Sequence, residues 1–583
     1  MAGLFLVNTQ DAQHASDALT AARAQFARHG FAGPTALPGR GWDVLAWPYM
    51  IGGPETVFTR GADFAAIAGT LTYAGRMGRA ALEMLLDEAD LPHGLDWSRI
   101  GGQFAAVVHK RGRTFVFTDW FAAFQIYLDR GQRVLSTSLL SALEALPQVR
   151  FDPQGLYEFA FNVMPIGNDT VFADLKTLGP GHIAELTPDG VTLHEVQKPL
   201  PDTADAQTIA ERIPAHRDRL MAVVEAHVDH FGDHVHCPLS GGIDSRLVLA
   251  TLRAAGSTPH VYVYGPPGSE DVEIARAIGK AEGFEVEWID KAQRPLAPDA
   301  FTELTRKHFH RFDALPGYGN IFDNGGNMVA IEGRHAGGGL AASGGCGEIW
   351  RDFFYLSDRP KSAVAVANTF FARFTSRDVT AEFHPRAFID RVAGKIAEAV
   401  GATDIRTPLP RLRIEQIYPR VRCRALFGRE IGLEARYGAY MMPFLDHQVV
   451  AEAMALPMTM KQVGRFEARL LEAIDPGLAA HMSAYGHSFA EPPSRRHRFE
   501  EWSSRIRPAW VRANSYAVQR RLRPMGDEHG GLLSPEYMDR VVNPGFPMMR
   551  RWFRMENVTD TGLWRRIACL EYLAEYLGSK LSD

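Results

Sequence analysis

The chain has 583 residues, 46% hydrophobic and 22% charged, with a formal net charge of -5; this length suggests more than one domain, and the balance is that of an ordinary globular protein. No basic excess argues for a nucleic-acid partner. The longest apolar runs fall well short of the roughly 20 residues a membrane span needs, and MAGLFLVNTQ lacks a basic region followed by an apolar core and cleavage site, so a cytoplasmic enzyme is expected. Cys237, Cys346, Cys423 and Cys569 show no C-x-x-C spacing, which gives neither a disulfide framework nor a zinc site.

From Met1 to about Leu146 the pattern is β-rich. Short apolar or alternating runs fall at Leu4 to Val7, Val44 to Trp47, Gly102 to His109, Thr114 to Asp119, Gln125 to Leu128 and Arg133 to Ser138. Helical patterns fall at Ala12 to His29 and Ala80 to Asp87, and two facing sheets with helices outside would accommodate them. The stretch PLPDTADAQTI, from Pro199 to Ile209, is polar and proline-containing, which places a domain boundary nearby.

Ala210 to His230 carries apolar residues at helical spacing and leads into Val235 to Leu239, a short strand. The strand stops at Ser240-Gly241-Gly242-Ile243-Asp244-Ser245, after which Leu247, Val248 and Leu252 mark a helix. Paired glycines let main-chain N–H groups point into one concavity, and the helix adds its unpaired donors and positive dipole end, so the turn suits an anion such as phosphate. It lacks the spacing and lysine of the common nucleotide loop. His260 to Tyr264, a Gly-Pro turn, a helix from Asp271 and Val286 to Ile289 then repeat a βαβ order.

Gly337 to Phe354 (GGGLAASGGCGEIWRDFF) is a glycine-rich strand end running into acidic and aromatic residues. A helical region, Ile414 to Pro457, contains Pro443-Phe444-Leu445-Asp446 before an amphipathic helix. The stretch AAHMSAYGHSFAEPP follows Phe466 to Ile474. From Arg495 to Asp583 the chain is rich in arginine and aromatics, and two readings stand: a solvated basic face, or a surface for an acidic peptide segment or phosphate.

SGGIDS resembles the pyrophosphate loop of the ATP pyrophosphatases. With GPPGSED and PFLD it makes the chain similar to the asparagine-synthetase-like family over nearly its whole length, and most like the lasso-peptide macrolactam synthetases. The resemblance implies an α+β, Ntn-hydrolase-like αββα sandwich over 1–200, degenerate relative to the family's glutamine amidotransferase. It implies an α/β parallel-sheet ATP pyrophosphatase domain with a helical C-terminal part over 205–583. Asp119 falls on a family aspartate. Ala2 stands where the family has its nucleophilic cysteine, and a methyl group is no nucleophile, so glutamine hydrolysis by that route is not expected.

The implied ATP-binding residues are Leu239, Ser240, Gly241, Gly242, Asp244, Ser245, Tyr264, Ser343 and Gly344. Asp244 would hold Mg²⁺ against pyrophosphate. Whether Glu348 replaces the family's metal-binding Asp or falls on the Glu beside it, with Gly347 in place of the Asp, Glu348 is the loop's only carboxylate and the expected second ligand. The family's substrate clamp, a Glu and an Arg, is replaced by Ala439 and Met441, unless an insertion lets Glu434 and Arg436 supply it. The family's catalytic lysine has no counterpart near Ser483 to His487. Tyr485 and His487 are candidates for proton transfer, and lining the pocket is the equally weighted alternative. The implied reaction is adenylation of an Asp or Glu side chain in a leader-free precursor peptide and attack by its N-terminal amine. A leader peptidase and a leader-binding protein would be pathway partners. A small-molecule asparagine or β-lactam synthetase and a non-catalytic nucleotide-binding scaffold are the alternatives.

Overall fold

The computed structural model describes residues 3–582 apart from 205, 293, 318–319, 509–510, 513–517 and 519–530. Ala2 and parts of the arginine- and aromatic-rich tail therefore lie outside the described residues. The chain has mixed α/β content, with antiparallel sheets and a parallel sheet.

Two six-stranded antiparallel sheets form the N-terminal part. The first runs Leu175–Thr177, Tyr127–Asp129, Val134–Ser136, Gly3–Asn8, Trp42–Trp47, Thr35–Gly39; the second runs Gly190–Glu195, His182–Thr187, Arg113–Thr118, Ile100–Lys110, Asp63–Tyr73, Val57–Arg60. Period-two alternation shows which face of the second sheet meets which layer. Phe64, Ala66, Ala68, Ala105 and Val107 join the main core, whereas Ala65, Ile67, Ala106 and Val108 pack in a separate cluster with Ala81, Leu82 and Leu85 of the helix Gly78–Glu88. The first sheet is covered by Ala12–His29 and Leu139–Ala145, so the layers read helix, sheet, sheet, helix. Asp11 caps the helix Ala12–His29 by accepting from the His14 N–H at 3.0 Å, and Gly30, at φ +105°, ends it.

Beyond the linker, the helix Ile209–Phe231 opens with a capping box between Thr208 and Glu211. A five-stranded parallel sheet follows, in the order Val286–Ile289, His260–Tyr264, Val235–Pro238, Leu340–Ala342, Tyr440–Met441. The strand Val235–Pro238 is central, so its C-terminal turn opens in the middle of the sheet edge, where open α/β sheets take ligands. The remaining elements of the C-terminal part are chiefly helices, including Pro385–Ala399, Arg424–Tyr437 and Thr561–Leu577. One hydrophobic core runs from Leu4 to Leu577 through both parts. No helix among the described residues is long and apolar enough to cross a membrane.

Candidate functional site

The glycine turn sits between the strand Val235–Pro238 and the helix Ile243–Ala254, which has no side-chain cap at Gly242. Leu239 is buried and its N–H donates to the Tyr262 carbonyl at 2.8 Å, fixing the strand end. The turn is held from within: Ser240 N–H donates to Ser245 Oγ at 2.9 Å, and Gly242 N–H donates to Ser240 Oγ at 3.2 Å. Asp271, at the start of the next helix, accepts from the Gly241 N–H at 2.8 Å. A Cβ on Gly241 would lie 2.9 Å from Ala484 Cβ and 3.0 Å from Asp271 Oδ1, so close packing from two sides makes this position a glycine.

Two further loops close on the turn. Gly344 packs so tightly that a Cβ there would sit 3.0 Å from both the Asp244 carbonyl carbon and the Ser245 nitrogen. Ser343, beside it, is fixed by its N–H to the Met441 carbonyl at 2.9 Å. Ala484 N–H donates to the Gly241 carbonyl at 3.0 Å, and the buried Arg246 donates to the His481 and Met482 carbonyls at 2.8 and 2.5 Å. These bonds clamp the loop that carries Tyr485 and His487 against the turn.

Asp244 faces a cluster of charges. Arg351 donates from Nη2 to both Asp244 oxygens at 2.7 Å, lies 3.7 Å from Glu348 Oε1, and places Nε 3.3 Å from Glu467 Oε2. It also donates to Tyr485 Oη at 3.3 Å. The Tyr418 hydroxyl donates to Glu348. Burial pushes the Glu467 carboxyl well above the usual carboxylate range, with Arg351 opposing and Asp244 reinforcing the shift. Asp244 is raised by burial too, against the pull of Arg351. Glu467 is wholly buried, with Asp244 and Arg351 as its charged neighbours. The two carboxyls therefore titrate as a pair.

A cavity of about 730 Å³ opens beside this cluster, lined by Ile243, Arg351, Tyr485, His487, Phe489 and Arg498 among others. Tyr485 and His487 are thus the two proton-transfer candidates that line it. Tyr264 is expected to meet the base through its backbone; its side-chain hydroxyl accepts from Arg334 at 2.8 Å, and Lys291 Nζ stands 3.7 Å from its ring centroid. Arg334 in turn pairs with Glu434, which also meets His335 at 3.1 Å. Arg436 turns away to Asp313 at 2.9 Å, so Glu434 and Arg436 do not converge on one ligand. Asp119 is buried and accepts from the Phe121, Ala123 and Phe124 N–H groups at 3.1, 3.0 and 2.8 Å, which makes it a turn-former.

Neither Arg351 nor Glu467 carries a motif in the sequence. The available signal for Glu467 was a carboxylate among Phe466, Leu470 and Leu471 on the buried stripe of the helix Arg465–Ile474. Gly347 is explained by the same contacts: a Cβ there would stand 1.9 Å from Asp244 Oδ1, so any side chain at 347 must displace that carboxylate.

Among the described residues no group of three or more His, Cys, Asp or Glu side chains is placed to hold a metal ion. A magnesium ion is commonly held by one or two carboxylates together with phosphate oxygens and water. Asp244 and Glu348 are a hard-oxygen pair of that kind, and they fit a cation that arrives with a phosphate ligand, provided Arg351 gives up part of its hold on Asp244.

No known family model matches the chain, and no curated protein matches it. Among solved structures it is similar to an allosteric regulatory enzyme of purine biosynthesis, at 11% identity over 49% of this chain and 64% of that one, with a TM-score of 0.23. It is also similar to glutamine phosphoribosylpyrophosphate amidotransferase from B. subtilis complexed with ADP and GMP, at 10% identity over 49% of this chain and 90% of that one, with a TM-score of 0.24. The chain spans less than two thirds of the first of these. Likeness this slight carries no argument about fold or activity.

Proposed function

We propose that the protein is an ATP-dependent amide ligase of the asparagine-synthetase-like kind, with an Ntn-hydrolase-like sandwich serving as scaffold and a pyrophosphatase-type sheet as the working part. The further reading is a lasso-peptide macrolactam synthetase, acting in the cytoplasm on a leader-free precursor peptide delivered by a leader peptidase and a leader-binding protein. One observation carries this: the glycine turn, the Ser343–Gly344 loop and the Tyr485–His487 loop are packed together around Asp244, beside a cavity of about 730 Å³.

In this reading the uncapped start of the helix Ile243–Ala254 and the turn amides receive the ATP phosphates. Asp271 and Ser240, which hold those amides here, are the groups that an incoming phosphate displaces. Asp244 and Glu348 would hold Mg²⁺, whose charge offsets that of the departing pyrophosphate. Arg351, released in part from Asp244, is placed to meet phosphate oxygens through its planar fork. The substrate carboxylate attacks the α-phosphate, pyrophosphate leaves, and the peptide amine then displaces AMP from the acyl carbon. Tyr485 and His487 line the space where that amine loses its proton. Holding the amine against the acyl group is the larger part of the rate gain, since a well-oriented intramolecular attack is worth about 7–11 kcal/mol.

The separation of Glu434 from Arg436 argues against a small amino-acid substrate, whose two charges need partners. One observation favours the scaffold reading: Arg351 already neutralises Asp244, the residue the metal would need. The test is pyrophosphate release from ATP, with aspartate plus ammonia or glutamine, and separately with a core peptide carrying an internal Asp or Glu. Release with the peptide alone, with loss of one water mass and abolition in Asp244→Asn, is expected. Release with aspartate would transfer the assignment to a small-molecule ligase, and ATP binding without release under any condition would leave a scaffold.

A further inference from the structure

A second cavity, of about 660 Å³, lies between the antiparallel part and the helical part, and shares no lining residue with the cavity beside Asp244. Its walls come from Phe121, Gly167 and Asn168, the 179–182 turn, the linker from 195 to 202, and the helical segment from 395 to 424. Lys198, Arg420 and Arg424 line it together. Lys198 is 8% exposed and Arg424 is 6% exposed.

The hydrogen bonds of these cations go to neutral groups, while the Asp119 charge acts on Lys198 and Arg424 from further off. Lys198 Nζ donates to the Asp119 carbonyl at 3.1 Å and lies 3.8 Å from the Trp97 ring centroid. Arg420 donates to the Lys198 carbonyl at 2.7 Å and to Gln416 Oε1 at 3.3 Å. Arg424 donates to Asn168 Oδ1 at 2.6 Å and Thr177 Oγ1 at 3.4 Å. None of the three forms an ion pair among the described residues. The other charges of the wall are spoken for: Arg413 pairs with Asp202 at 2.7 Å, and Lys395 with Glu158 and Asp169 at 2.7 and 2.6 Å. Glu195 and Glu398 stand exposed at the rim.

Buried positive charge without a counter-ion costs several kcal/mol per group in a low-dielectric site. Burial accordingly pushes Arg420 and Arg424 down to about 10, and Lys198 down to about 7. Asp119, the buried carboxylate that faces Lys198 and Arg424, spends its oxygens on three main-chain N–H groups. Three cations thus face one already-bonded carboxylate, and two guanidinium forks match the oxygens of a phosphate.

We propose that this cavity is a binding site for a small multiply charged oxyanion of the phosphate class, held by Arg420, Arg424 and Lys198 at the junction of the two parts. The ligand is inorganic phosphate, pyrophosphate or the phosphoryl group of a small organic phosphate, and it ties the linker to the helical segment.

The test is calorimetric titration of the full chain with inorganic phosphate, pyrophosphate and a sugar phosphate as separate probes; the tightest binder identifies the source. Arg420→Gln combined with Arg424→Gln should weaken that binding at least tenfold, while leaving the turn at 240–245 untouched. The groups facing Lys198 are Asp119, Arg420, Arg424 and His447. An arriving anion favours the Lys198 ammonium, so binding above pH 7 should take up a proton, seen as a buffer-dependent heat that disappears in Lys198→Met. If the double variant does not fold, Arg420→Gln alone carries the test, because that side chain is only half-buried. Absence of saturable binding by any probe at millimolar concentration, or affinity that survives the arginine substitutions, would overturn the assignment.

Discussion

At Asp244 three carboxyls, those of Asp244, Glu348 and Glu467, share one guanidinium, that of Arg351. The folded state holds Glu467 well above the ordinary carboxylate range, chiefly through burial, so between about pH 4.5 and the raised value it keeps a proton that the unfolded chain releases. Stability from this group is full below its unfolded pKa and is lost as pH rises. Glu467→Gln removes the carboxyl and with it that loss. The melting temperature of the variant relative to the parent should therefore climb from pH 5 to pH 8, read by scanning fluorimetry; a flat difference would mean that Glu467 is ionised in the fold. This residue and Arg351 were poorly legible in the sequence for a physical reason: Arg351 reaches Asp244 across 107 positions, and no periodicity records a pair so far apart. The glycines of the turn were legible because they sit together in one short run, SGGIDS, although the contacts that require Gly241 come from Asp271 and Ala484, far along the chain.

The elements around the turn are held by contacts that glycine alone permits. Gly347→Ala would drive its methyl into Asp244, displacing the carboxylate from Arg351. Pyrophosphate release should fall at least a hundredfold while the melting temperature drops by no more than a few degrees; full activity in this variant would remove Asp244 from the site. Arg246 plays the opposite part, pinning the Tyr485–His487 loop through two carbonyls. Arg246→Met leaves those acceptors unpaired at about 1–3 kcal/mol each, so limited proteolysis should cut within 481–489 faster than in the parent. Helix Ala12–His29 and strands His260–Tyr264 and Val286–Ile289 match their sequence patterns because each run ends at a turn or cap. Strand Asp63–Tyr73, DFAAIAGTLTY, has no polar alternation to mark it in the sequence, because it is buried on both faces. The π-helical turn Tyr418–Cys423 has no sequence signature either.

Across the whole molecule, the antiparallel part and the parallel-sheet part are joined by buried polar contacts as well as by the common core. One is made by Asp313, which lies beyond the linker yet accepts from Ser138 Oγ and the Leu139 and Leu140 N–H groups at 2.8, 2.7 and 2.9 Å, capping the helix Leu139–Ala145 from outside. It also pairs with Arg436 at 2.9 Å and stands 3.6 Å from His29 Nε2. Arg436 and its neighbours outweigh the burial and hold this carboxyl well below the usual range. A depressed carboxylate contributes stability that is complete above the unfolded value near 4 and is lost only as pH falls below it. Asp313→Ala should thus cost about 3–5 kcal/mol, the usual penalty for removing one partner of a buried ion pair. That cost should be the same at every pH from 5 to 8, in contrast to the sloping difference of Glu467→Gln. Because the lost contacts join the two parts, calorimetry should show the antiparallel part separating from the rest as a distinct, earlier transition. A variant that melts with the parent's profile would mean that the apolar core alone unites the chain.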